Sequence, residues 1–546
     1  MFARVKKTGQ YQYLQLVQNR REGKKTIQRV VATLGRVEEL QQKGDIESLV
    51  RSLSRFSETA LMILSGKSVV NSAQTSSIGP ALIFERLWRD LKIGRTIERL
   101  LEGRKFEFDV ERAIFLTVLH RLFVSGSDRC CDKWQRDLVV SGSEDLKLHH
   151  LYRAMSFLGE EIADQRHCCA FTPRCTKDVI EEELFAARRD LFTGLDCVFF
   201  DTTSIYFEGE GGDTVGEYGH SKDHRPDLKQ MVVGVVLDDQ GHPVCCEMWP
   251  GNTTDVKSLI PVVERLKNRF HIRQFCVVCD RGMISQTTLD WLEQNNIFYI
   301  LGARMRNSKE VKEDVLSRAG RYREVRPEGT LSSDPSPLKV KEVMVDGSRY
   351  IVCRNEKQAR KDALDRDAII SALEDKLKSG PKALVGNKGF RKYLKAEKDS
   401  VSIDRDKIDQ ESRFDGKWVL KTNTRLSSEE VALKYKELWQ VEQVFRDMKS
   451  ILDTRPIYHQ TDEAIRGHVF CSFLALLLRK ELDARLEKAE LELEWADVKQ
   501  DLTALHDVTI NENGKQFTIR SECLGCCGKV FKAVGVAVPP TIRETF

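Results

Sequence analysis

The sequence predicts an α/β protein centred on a mixed sheet, with a helical region ahead of the sheet and a β-containing insertion within it. Three observations predict this. Between residues 196 and 301 short apolar runs alternate with turns and two amphipathic stretches. From 78 to 195 apolar residues recur at the i, i+3, i+4 spacing of helices. Between 303 and 427 Asp-Gly turn signals reappear beside β-rich runs. A chain of 546 residues, 41% hydrophobic and 31% charged, has the composition of a globular protein of several units. The longest near-apolar stretch, Val469–Leu478, is ten residues, about half of what a membrane span needs. The first residues lack an apolar signal core, so no membrane partner and a cytoplasmic location are expected. The fifteen cysteines are odd in number, which fits a reduced compartment.

In chain order, residues 1–75 read as a small basic β unit. Tyr11–Gln18 alternates, Asn19–Lys24 turns and Lys25–Leu34 resumes. Residues 1–36 carry nine Lys/Arg against one acid, Glu22, with Tyr11 and Tyr13 among them. A basic arm with aromatics suits a polyanion such as DNA, and Lys6, Lys7, Lys24 and Lys25 are its candidate contacts. The helical region, 76–194, is expected to hold helices near Ala81–Leu91, Val110–Val124, Leu151–Ile162 and Val179–Leu191. The sheet region, 195–302, starts with strand Cys197–Phe200, ending at Asp201, followed by a polar loop with five glycines. Strands Met231–Leu237 and Pro243–Met248, helix Asp255–Phe270, strand Phe275–Cys279 ending at Asp280, helix Ser285–Asn295 and strand Phe298–Leu301 complete it. The order βββαβαβ is the pattern of RNase H-like mixed sheets. The insertion, 303–427, holds a hairpin around Asp346-Gly347, a second such signal at Asp415-Gly416 and helix Glu356–Leu377. Residues 428–487 return to the core with one long helix, Glu429–Ser450, and a buried one, Gly467–Leu486. The tail, 488–546, carries a hairpin around Asn513-Gly514.

Asp201 and Asp280 each follow an apolar strand, and in this topology those two strands are adjacent and parallel. Both carboxylates then lie at one sheet edge, and Glu442, on the long helix, is the candidate third acid. An all-carboxylate site favours Mg²⁺ or Mn²⁺ over zinc. Two such ions about 4 Å apart can act on one phosphodiester. The loop 208–227 leaves the sheet beside Asp201, and Lys222 and Arg225 in it are candidate DNA contacts. Tyr435, Leu438, Glu442 and Lys449 share a stripe at helical spacing, with Trp439, Val441 and Phe445 expected to pack inward. Gly209-x-Gly211 lacks the third glycine of a dinucleotide fingerprint, and Ser65–Ser68 lacks the upstream glycine of a P-loop. The CxxC pair Cys276/Cys279 lies in a strand, where its thiols point to opposite faces, and makes a poor zinc knuckle.

The stretches FFDTTSIYFEGE, GHSKDHRPDLKQMVVGVVLD, PGNTTD, VVCDRGM, DGKWVLKTN, YKELWQVEQVFRDMK and RPIYHQTDEAIRGHVF resemble the DDE transposases of bacterial insertion sequences. The resembling superfamily carries the signature Y-x2-R-x3-E-x6-K, and its 1634-type branch is the nearest in texture, over residues 195–480. The resemblance implies metal-binding acids at Asp201, Asp280 and Glu442, the signature Tyr at Tyr435 and the signature Lys at Lys449. It implies two Mg²⁺ or Mn²⁺ ions, binding to terminal inverted repeats, cleavage there and joining of 3′-hydroxyls to target DNA. Synapsis of two ends implies a homodimer. One position departs: Leu438 stands where the signature has Arg. Arg446, four residues past Glu442, either restores that cation, in which case Leu438→Arg is expected to be tolerated, or pairs with Glu442. The rivals are a metal-dependent nuclease without strand transfer, a non-catalytic DNA-binding descendant, and a zinc scaffold built on clusters such as His167/Cys168/Cys169/Cys175.

Overall fold

The computed structural model describes residues 2–9, 11–22, 25–42, 46, 73–166, 168, 172–188, 197–272, 274–326, 338–378, 390–397, 400–450, 452, 454–512 and 515–545. Lys24, Ser65–Ser68, His167, Cys169 and the Asn513-Gly514 turn lie outside the described residues, as does the side chain of Lys25.

The basic unit is a three-stranded antiparallel sheet, Phe2–Thr8, Tyr11–Glu22 and Lys25–Arg36. It has one strand more than the alternation signalled, and the second strand runs through the expected turn as far as Glu22. The helical region contains Gly79–Asp90, Ile93–Leu100, Val110–Phe123, Asp128–Trp134, Leu148–Gly159 and Thr176–Arg188. Asp109 and Ser127 start two of these helices by accepting the N–H groups of Arg112 and Cys130. Strand Ala73–Ser77 pairs with His506–Glu512 of the C-terminal hairpin, and Lys515–Arg520 and Ile542–Thr545 extend that sheet to four strands.

The large mixed sheet has nine strands: β1 Cys197–Tyr206, β2 Gln230–Leu237, β3 Pro243–Pro250, β4 Cys276–Cys279, β5 Phe298–Gly302, β6 Arg323–Glu324, β7 Leu338–Val345, β8 Ser348–Asn355 and β9 Lys417–Thr422. Their spatial order is β6-β7-β8-β9-β5-β4-β1-β2-β3. β1, β4 and β5 are mutually parallel, and the rest pair antiparallel. The 303–427 stretch therefore continues the same sheet through β9. The Asp346-Gly347 hairpin forms as expected, with both residues at positive φ (46° and 79°). Asp415-Gly416 closes no hairpin: helix Arg405–Ser412 precedes it, so this turn joins a helix to β9.

Strand alternation sends Val198, Phe200, Val277 and Cys279 to one face, where α1 (Asp255–Phe270) covers them with Leu259, Val262, Val263 and Leu266. Phe199, Ile205, Cys276 and Val278 face the other side. There α3 (Trp439–Ser450) contributes Val441, Val444, Phe445 and Met448, and α4 (Asp462–Lys488) packs in the same core. Each such fully buried side chain contributes roughly 1.5–3 kcal/mol. α4 is buried along Ala464–Leu478 because it is sandwiched against the helical region. A side chain at Gly467 would sit 1.9 Å from the Met155 carbonyl, so only glycine permits that crossing.

The expected single helix Glu429–Ser450 is two helices, α2 (Ser428–Lys436) and α3. Ser427 and Glu430 form a capping box at the start of α2. The chain then tightens: Glu437 N–H donates to Lys434 O (3.1 Å) and Leu438 N–H to Tyr435 O (3.2 Å). This turn drives Leu438 into the core, where it is 7% exposed. Among the described residues no helix is long and apolar enough to cross a membrane.

Candidate active site

β1 runs beyond Asp201 to Tyr206, so Asp201 lies within the strand and not at its end. Phe200 is in register with Cys279 on parallel β4, which places Asp201 beside Asp280 one residue further on. Neighbouring strands lie about 4.8 Å apart. The extended backbone at Asp280 (φ −74°, ψ 164°) continues the alternation, so both acids emerge on the face covered by α3. The adjacency expected from the sequence is present.

Asp201 is partly buried. Burial pushes its carboxyl up to about 6, with Asp280 and Asp255 adding to the rise and Lys222 and the Thr202 N–H opposing it. That N–H donates to Asp201 Oδ1 at 2.7 Å. Asp280 Oδ1 accepts the Tyr435 hydroxyl at 3.0 Å. The contact needs Gly302, the last residue of β5, because a Cβ there would stand 2.4 Å from the Tyr435 oxygen. Burial and the Asp280 charge hold the Tyr435 phenol neutral, well above its ordinary pKa. Two adjacent carboxylates, one of them poorly compensated by protein cations, are a donor set that suits a hard divalent cation. The set counts two acids and not three: Glu442 is on α3, on the same side of the sheet, but is solvent-exposed, and its side chain makes no hydrogen bond or ion pair with a described residue. Among the described residues no group of three or more His, Cys, Asp or Glu is gathered to hold a metal.

The helix break separates the expected stripe. Tyr435 on α2 serves Asp280, Leu438 is core, Glu442 faces solvent and Lys449 turns to Asp223 (2.8 Å). Trp439 was expected inside but is 60% exposed. Arg446 is exposed, and no ion pair joins it to Glu442. Lys222 lies inside the loop network: its Nζ donates to Thr202 O (2.7 Å) and Oγ1 (3.0 Å) and sits 3.3 Å from Asp255 Oδ2. Arg225 pairs with Asp227 and stacks 5.4 Å from the Tyr206 ring centre. Lys6 and Lys7 are both exposed, but as neighbours on one strand they point to opposite faces of the small sheet.

Sequence reasoning passed over Asp255 and Arg455, and marked Asp223 only as part of the 208–227 loop. Asp255 accepts the Thr202 hydroxyl at 2.6 Å from the first turn of α1. Asp223 binds both Lys449 and Arg455. The acid opening α1 was a visible signal for Asp255, whereas nothing local marks a contact between residues more than two hundred positions apart. The cysteines of β4 behave as strand geometry requires: Cys276 faces Cys197 in one core and Cys279 the other.

No curated protein matches the chain. Among solved structures it is similar to the cryo-EM structure of a piggyBac transposase synaptic complex with hairpin DNA, at 10% identity and a TM-score of 0.37, covering 78% of this chain and 80% of that one. The family model described as an IS1634 family transposase N-terminal domain matches residues 3–65. The model described as a transposase DDE domain matches residues 193–478, more than half of the chain and the whole span that carries Asp201, Asp280, Tyr435 and Glu442. The chain therefore belongs to the DDE transposases, of the IS1634 type, and is a DNA transposase of an insertion sequence.

Proposed function

We propose that this transposase cuts DNA at the terminal inverted repeats of its element and joins the freed 3′-hydroxyls to target DNA, using an RNase H-like core in which Asp201, Asp280 and Glu442 are the acidic triad. The observation that carries the reading is the in-register adjacency of Asp201 and Asp280 on parallel strands, with the Asp201 carboxyl pushed up to about 6 by burial. Asp201 and Asp280 would hold Mg²⁺ or Mn²⁺, with a second ion completing the site. The ions would supply charge neutralisation at the phosphodiester and activation of the attacking oxygen.

The protein's own groups do the rest. Tyr435 orients Asp280 through its hydroxyl, and Lys222 offsets part of the negative charge around Asp201. Glu442 joins the pair when the α2–α3 turn adjusts over bound DNA. Lys6, Lys7, Lys24 and Lys25 of the N-terminal unit, together with Arg225, Arg446 and Lys449, contact phosphates, and two copies of the chain bridge two transposon ends.

The test supplies a pre-cut transposon end with a free 3′-hydroxyl, a second duplex and Mg²⁺. Wild-type protein is expected to join the two, and Asp201→Ala protein is not. Cleavage of uncut ends without any joining of pre-cut ends would replace this reading with that of a nuclease.

A further inference from the structure

Three charged side chains meet where the loop after β1 touches the end of α3. The Asp223 carboxylate is 7% exposed and lies between Lys449, whose Nζ donates to Oδ1 at 2.8 Å, and the Arg455 guanidinium, which contacts the same oxygen. Lys449 is 14% exposed and Arg455 27%, so both cations are drawn substantially out of water. Two cations face one carboxylate, leaving the cluster short of one negative charge. The other oxygen, Oδ2, is buried without a hydrogen-bond partner. Burial holds the Lys449 ammonium below its ordinary pKa, with the Arg455 and Lys222 charges adding to the fall and Asp223 opposing it.

The segment that delivers Asp223 is a tight turn. Ser221 Oγ accepts the N–H groups of Asp223 (3.3 Å) and Arg225 (3.1 Å), and His224 is held at φ 57°, in the left-handed region that histidine adopts more readily than most side chains. The cluster neighbours the acidic pair: Lys222 acts electrostatically on both Asp201 and Lys449. Arg455 also stacks 5.9 Å from the ring centre of Tyr206, the last residue of the strand that carries Asp201.

We propose that Lys449 and Arg455 form a binding site for one backbone phosphate of DNA, and that Asp223 occupies this site in the free protein as a carboxylate stand-in that the phosphate displaces. A phosphodiester presents one negative charge and two unesterified oxygens, so it matches what Asp223 offers and can be placed to use both oxygens. Release of Asp223 frees the 221–225 turn from α3 and couples DNA loading to a rearrangement of the loop beside Asp201. The proposal rests on the reading of Lys449 as a DNA contact and adds Arg455, the competing carboxylate and the exchange.

The test is binding of the full chain to an arbitrary 30-base-pair duplex, without divalent ion, across a salt series. Asp223→Asn is expected to bind about twofold to 25-fold tighter, because each of the two ion pairs it removes is worth roughly 1.5- to fivefold. Arg455→Gln and Lys449→Gln should weaken binding and each lower the log–log salt slope by about 0.9. Binding by Asp223→Asn that is equal to or weaker than wild type, or an unchanged slope for Arg455→Gln, overturns the proposal. Should Asp223→Asn fail to fold, wild-type amide exchange decides: faster exchange at 221–225 on adding duplex supports displacement, and unchanged exchange overturns it. Because no divalent ion is present, failure here is distinguishable from failure of Asp201 and Asp280 as the catalytic pair, which only cleavage assays read.

Discussion

Asp201 and Asp280 sit on adjacent parallel strands, and backbone pairing sets their separation. Tyr435, Glu442 and Lys449 are instead spread over two helices joined by a two-residue turn: Tyr435 meets Asp280, Lys449 meets Asp223 and Glu442 faces solvent. The pair on the sheet is assembled before any ligand arrives, because strand register leaves the two acids nowhere else to go. The helix side is held by contacts that DNA can replace: Glu442 is in solvent and Lys449 is tied to Asp223. On the proposed reading, the difference separates what the fold fixes from what substrate binding completes.

The largest expected effect tests that division on catalysis. Asp201→Ala and Asp280→Ala should each reduce end cleavage by more than the roughly 10–100-fold typical of changes to groups that merely support a ligand. Glu442→Ala should match them if the helix side closes onto the pair during the reaction. Cleavage rates at saturating Mg²⁺ decide, and near-wild-type cleavage by Glu442→Ala would leave a two-carboxylate site on the sheet alone.

Leu438 sharpens the comparison on stability. The signature suggested that arginine would be tolerated there, but the turn between α2 and α3 buries the side chain against the core. Leu438→Arg should cost about 2–4 kcal/mol, as expected for a charge without a partner in a packed site. Denaturant melts measure it, and an unchanged midpoint would mean that α2 and α3 reorient freely.

Asp201 gives a pH-dependent contrast of similar or smaller size. Its folded pKa, about 6, lies above the unfolded value of 3.8. The folded state therefore binds more protons between those values, and Asp201 costs stability progressively as pH rises through that window. Asp201→Asn should raise stability by an order of 2 kcal/mol above pH 7 and change little at pH 3.5. Mg²⁺ should raise the wild-type melting temperature at pH 7.5 more than that of Asp201→Asn. A pH-independent difference between the two proteins would remove burial as the cause.

The same contrast sets what was legible in the sequence. The short strands, the helix Asp255–Phe270, the Ser285 cap and the Asp346-Gly347 turn are local signals, and they suffice to bring Asp201 and Asp280 together. The polar half of β1, Asp201–Tyr206, lacks an apolar run and reads as loop, although pairing with β2 makes it strand. The break at Glu437-Leu438 has no glycine or proline to announce it, so helical spacing carries through it and suggests a stripe that does not exist. The pairing of Ala73–Ser77 with His506–Glu512 and the meeting of Asp223 with Lys449 and Arg455 join distant segments, and periodicity holds no information about either.

The smallest expected effect belongs to Tyr435, the helix-side residue that donates to Asp280 of the acidic pair. Tyr435→Phe keeps the ring, the packing over Gly302 and the helix, and removes only the hydroxyl that donates to Asp280. One hydrogen bond to a charged group is worth about 1.5–3 kcal/mol at most, and less where solvent or a cation can take its place. If Tyr435 acts only by orienting Asp280, the variant should need several-fold more Mg²⁺ for half-maximal cleavage and approach the wild-type rate at saturation. DNA affinity without metal should be unchanged. If Tyr435 contacts a phosphate instead, DNA affinity should fall and the Mg²⁺ requirement should stay where it was. A magnesium titration of cleavage beside a metal-free binding curve separates the two, because Asp280 enters the first measurement and not the second.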